Sequence, residues 1–118
     1  MASGIINHLR YTMAMGGTFT LDLNDAQPYP DGSERQYSFS GFTNITNRPS
    51  GVQTNYHGHL KAFKMGAYIC QLLFCYQNYP APPKIFYRAQ TYDGSVSGYI
   101  KWGEWFLLDI NTTQQTTV

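Results

Sequence analysis

What most constrains the fold of this chain is a two-residue rhythm that is repeatedly interrupted. Over residues 18–23, Phe19, Leu21 and Leu23 alternate with Thr18, Thr20 and Asp22, the pattern of a strand with one buried face. Residues 36–42 repeat it, with Tyr37 and Phe39 on one side, and in residues 84–92 Ile85, Tyr87 and Ala89 alternate with Phe86, Arg88 and Gln90. Residues 59–65 are a further strand candidate. Residues 67–77 are apolar on both faces, which predicts the central strand, and residues 99–110 close the series with Gly103 placed for a bulge. The interruptions are turn chemistry. Pro28, Pro30 and Asp31-Gly32 end one run, residues 78–83 hold three prolines and cannot continue a sheet, and Asp93-Gly94-Ser95 signals a hairpin. The sum is about six or seven strands and no long helix, hence an all-β chain, a small antiparallel sandwich or barrel-like knob. Ile5, Ile6, Leu9 and Met13 stand at near-helical spacing. Residues 1–17 are therefore expected as an N-terminal arm or short helix, residues 18–110 as the β-rich knob, and residues 111–118 as a polar C-terminal tail.

Charge is the second constraint. Only 13% of the 118 residues are charged, against about 25% in an ordinary soluble domain, and the polar remainder is Thr, Ser, Asn, Gln, Gly and Tyr. A surface this poor in ions repels partners weakly, so much of it is expected to be covered by copies of the chain or by neighbours; a β-rich domain that merely has few charges is the plainer alternative. The net charge is +1, and Lys and Arg are scattered singly, so no nucleic-acid partner is expected. No run of about 18 apolar residues predicts membrane insertion, and no secretory signal is expected. Cys70 and Cys75 lie in one predicted strand at odd spacing, on opposite faces and roughly 16 Å apart, beyond disulfide reach; they read as small buried hydrophobes.

Four pieces of the chain resemble the pyocin-knob type of domain of phage tail fibres and receptor-binding proteins. Leu23-Asn24-Asp25 opens the module. Thr43-Asn44-Ile45-Thr46-Asn47-Arg48-Pro49 resembles the family's Asn-x-Pro turn. Tyr68-Ile69-Cys70-Gln71-Leu72-Leu73-Phe74 resembles its strand in which Gln follows an apolar run. The stretch from Ile85 to Ser95, with Trp102 and Trp105, resembles its closing pattern of Tyr-x-Arg, Gly and two tryptophans. The resemblance implies a homotrimer in the virion, at the phage tail, beside other virion tail proteins and facing a host-surface glycan.

The residues suggest where a ligand would sit. The long loop over residues 43–57 is rich in Asn, Thr and Tyr, adaptable contact residues, which makes Asn44, Asn47 and Tyr56 candidates. Tyr79, in the proline-rich loop, is another. Arg88 could grip an anionic sugar with its planar fork, or instead make a structural bond to Asp93, Glu104 or Asp109. Trp102 could offer a platform to a sugar ring, or be core with Trp105. His57-Gly58-His59 puts two imidazoles on one strand face; repeated around a trimer axis they would supply six nitrogens, with solvated loop histidines as the alternative. No metal and no cofactor is otherwise expected. The carboxylates form no catalytic motif, and no nucleophile elbow or phosphate loop is present, so the chain is not expected to be an enzyme. Two functions remain: a receptor-binding module recognising a host cell-surface saccharide, or a structural virion protein, capping or decorating, that holds neighbouring subunits. A depolymerase fragment ranks last.

Overall fold

The structure is a computed structural model, which describes residues 14–15, 20–77 and 82–108. Its strands are β1 (Ala14–Met15), β2 (Leu21–Asp22), β3 (Arg35–Phe39), β4 (Ile45–Thr46), β5 (His57–Met65), β6 (Tyr68–Tyr76), β7 (Lys84–Tyr92), β8 (Ile100–Trp102) and β9 (Phe106–Leu107), with one 3-10 turn at Leu23–Asp25. The three nine-residue strands form the middle of an antiparallel sheet with order β1-β3-β5-β6-β7-β8. Both-sided hydrophobicity correctly marks β6 as central. β5 and β6 are joined by Gly66 and Ala67 between the paired residues Met65 and Tyr68. Gly66 sits at φ 64°, a conformation that a two-residue hairpin demands and that a β-carbon resists.

The last predicted strand is broken in two. β7 pairs with β8 over Gln90–Tyr92 and with β9 over Phe86–Tyr87, and the step between them falls at Gly103, whose N–H donates to Ala89 O at 2.9 Å. The bulge expected there is what lets one edge of β7 serve two short strands. The run over residues 18–23 shortens to β2, because Leu23 already begins the 3-10 turn, capped by Asp22 Oδ1 accepting from Asn24 N at 2.8 Å. Of the expected N-terminal arm or helix, only Ala14 and Met15 are described. They form β1, parallel to β3. The tail over 111–118 lies outside the described residues.

One face of the sheet supplies Tyr37, Phe39, Leu60, Leu73 and Phe86 to the core. The layer that covers them is made of connections: Leu23 from the 3-10 turn, and Phe42, Ile45, Val52 and Tyr56 from residues 40–56. A short parallel ladder of β2 with β4 braces this layer. Arg48 ties it down, donating from Nη1 to Ile45 O at 2.9 Å and from Nε to Val52 O at 3.1 Å. The long polar-looking loop is thus the second layer of an all-β sandwich. Its apolar residues are unevenly spaced, so no period announces them.

Candidate functional site

Arg88 stands on the inner face of β7, directly across the ladder from Gln71 of β6. It is 6% exposed. Its guanidinium lies 4.1 Å from the Trp102 ring centroid and 4.4 Å from that of Trp105, within cation–π reach of both. Its Nε donates to Gln71 Oε1 at 2.8 Å. Gln71 Nε2 in turn donates to Leu23 O at 2.7 Å and Ala26 O at 3.0 Å. The indole N–H groups reach outward to the covering layer, Trp102 to Asn24 O at 3.2 Å and Trp105 to Asn47 O at 2.8 Å. Asn47 Nδ2 donates to Asp22 Oδ1 at 2.7 Å. Burial pushes the Arg88 guanidinium down to about 10, against the opposing pull of Asp22. The break at Gly103 is what puts two tryptophans three residues apart on one side of the chain.

This arrangement locates most of the residues singled out from sequence. Arg88 and Trp102 meet, but inside the fold, where they tie the sheet to its covering layer. Of the acidic partners considered for Arg88, Asp93 pairs with Lys101 at 2.9 Å, Glu104 is exposed while Arg88 is buried, and Asp109 is outside the described residues. Tyr56 is buried in the core. Asn44 and Asn47 are exposed, although the side-chain nitrogen of Asn47 is engaged with Asp22. Tyr79 lies outside the described residues. His57 and His59 share the outer face of β5, as alternation requires. His59 Nδ1 is 2.7 Å from Ser38 Oγ, and its ring lies 6.4 Å from Phe74. Burial first, then Lys61, holds the His59 imidazolium below its ordinary range. Among the described residues no three His, Cys, Asp or Glu side chains gather as a metal set.

The surface feature that sequence reasoning passed over is the tip of the β7–β8 connection. Tyr92 and Tyr99 flank it, 64% and 58% exposed, with near-parallel rings 6.1 Å apart at 13°. Tyr99 has φ 62°, a strained setting for a bulky residue. It is held there by Asp93 N donating to Tyr99 O at 2.8 Å and Tyr99 N to Val96 O at 3.1 Å. Asp93 Oδ1 accepts from Ser95 N and Oγ at 2.9 and 2.6 Å. The ammonium of Lys101, then Ser95, holds the Asp93 carboxyl well below the usual carboxylate range. Two tyrosines on either side of a turn signal were the available clue. Comparison with protein-family models, with curated proteins and with solved structures finds no match, so any function assigned to the chain has to stand on the residues just described.

Proposed function

We propose that this chain is a non-catalytic receptor-binding module of the pyocin-knob type, carried at a phage tail as a homotrimer and recognising a host-surface saccharide. One observation carries the proposal: the four separated pieces of sequence that resemble that family form one contiguous unit. Leu23-Asn24-Asp25 gives carbonyls to Gln71 and Trp102, Asn47 gives its carbonyl to Trp105, and Arg88 joins Gln71 to both indoles. Pieces matched by chance have no reason to converge. Because that unit is internal, saccharide contact belongs to exposed groups. The Tyr92–Tyr99 tip suits it best. Aromatic faces accept the C–H face of a pyranose, the ring positions are fixed in advance by the turn, and Lys101 and Ser95 bring polar groups to the same tip. Asn44 adds an exposed amide on the covering layer.

The test is adsorption of the purified chain to glycan arrays and to bacterial envelopes. Saturable binding is expected, weakened at least tenfold by Tyr92→Ala and by Tyr99→Ala. Absence of binding to any surface, with retained binding to tail proteins, would favour the structural virion role instead; the half-buried apolar outer face of β6 and β7 is the observation on that side. Release of reducing sugar would show a depolymerase.

A further inference from the structure

β6 is flanked by strands on both sides, and its two faces meet different fates. Ile69, Gln71, Leu73 and Cys75 are buried under the covering layer, whereas Tyr68, Cys70, Leu72 and Phe74 are only half-buried and Tyr76 is exposed. An antiparallel sheet that faces water alternates apolar inside with polar outside. Here β6 and β7 are apolar on the outer side as well, while His57, His59 and Lys61 of β5 bound that patch. β5 adds Phe63 to the outer face, β7 adds Ile85 and Tyr87, and β9 adds Phe106, whose ring stacks on Tyr87 at 5.6 Å. An open groove of about 640 Å³ runs between Phe63, Leu72, Tyr87 and Phe106. A second hollow of about 280 Å³ lies at the other end, by His57, Phe74 and Ile85. The sequence pattern is that of a sheet covered twice, yet the described residues cover it once.

We propose that the outer face of β5, β6, β7 and β9 is the contact between copies of this chain. The inference rests on the self-association within the function proposed above and assigns it to a surface; saccharide recognition is independent of it. Size is compatible with a second copy as the occupant. The nine-residue strands β5, β6 and β7 are about 30 Å long at about 4.8 Å spacing, so with the short β9 beside them they present roughly 450 Å² of sheet, more than half of the roughly 800 Å² that each partner gives to a stable interface. Charge agrees. Lys61 on β5 and Glu104 beyond β8 stand at opposite margins of the face, with apolar rings between them. A head-to-tail ring of copies brings one margin against the other.

Sedimentation velocity of the full chain, with Tyr87→Glu and Phe106→Glu beside it, tests this. Both residues are substantially exposed in the subunit, 41% and 55%, so charge there leaves the subunit fold intact, which far-UV circular dichroism checks. The unaltered chain is expected at a discrete multiple of 13.4 kDa, and each variant is expected to associate at least 100-fold more weakly. Thr54→Lys, on the covering layer, is expected to leave the mass unchanged. Variants that keep the oligomer overturn this surface and leave the homotrimer standing. An unaltered chain of 13.4 kDa overturns both. If removal of residues 1–13 then also raises binding of a hydrophobic dye, that segment of the same chain is the cover.

Discussion

At the scale of single residues, two arginines hold parts of the fold together. Arg48 ties together the carbonyls of the covering layer, and Arg88 is held between two indoles. Burying a cation is costly unless its charge is compensated; the Arg88 guanidinium lies within reach of both indoles and donates from Nε to Gln71, while its Nη2 is buried without a hydrogen-bond partner, and an ammonium has no planar face to stack in the same way. Arg88→Lys is therefore expected to cost about 2–3 kcal/mol, the sum of a desolvated cation–π pair and one buried hydrogen bond, read from urea unfolding followed by tryptophan fluorescence. A loss under about 0.5 kcal/mol, the scale of a neutral surface change, would mean that the stack contributes nothing. Cys75 carries the clearest dependence on pH. Its thiol, 9.0 in the open chain, is pushed up to about 12 by burial, slightly offset by Lys84. The folded state keeps the proton after the unfolded state has lost it. Its contribution is thus complete below pH 9 and disappears as pH rises toward 12, by as much as about 4 kcal/mol. Stability measured across that window should fall less steeply in Cys75→Ala; parallel slopes would refute the assignment.

At the scale of elements, two glycines, Gly58 and Gly103, matter more than the length of the strands. On β5, His57 and His59 point outward while Gly58 faces the core. A β-carbon at Gly58 would overlap the rings of Phe42 and Phe39, which meet edge to face at 5.5 Å. The glycine of the His-Gly-His run is thus a packing requirement between two outward imidazoles. Gly58→Ala is expected to destabilise by about 2–3 kcal/mol through overpacking, seen as a lowered melting temperature; an unchanged melting temperature would show that the two phenylalanines have room to retreat. On the other side of the sheet, the step at Gly103 turns one predicted strand into β8 and β9. Period-two counting puts Trp102 and Trp105 on opposite faces, and only the step returns both to Arg88.

At the scale of the whole molecule, the described residues cover the inner face of the sheet and leave its outer face open. If copies join through that face and the Tyr92–Tyr99 tip binds saccharide as proposed, several tips act together on one bacterial surface. Linked sites gain avidity without any new contact, commonly by about 10²-fold or more. Tyr87→Glu, distant in role from the tip, is therefore expected to weaken adsorption to whole cells by about 10²-fold while leaving the affinity for a single soluble oligosaccharide unchanged. Equal loss in both assays would place Tyr87 in the saccharide contact itself.

The all-β class, the centrality of β6, the opposite faces of Cys70 and Cys75, and the outward pairing of His57 with His59 follow from the chain alone, because side-chain alternation in a strand is a local property fixed by backbone geometry. Which surface each face would meet is not local. That residues 40–56 become the second layer, that Tyr56 and Arg88 turn inward, and that two tryptophans close on one guanidinium depend on contacts between segments separated by 17 to 78 positions. Only the folded chain brings those segments together, and no period in the sequence encodes their meeting.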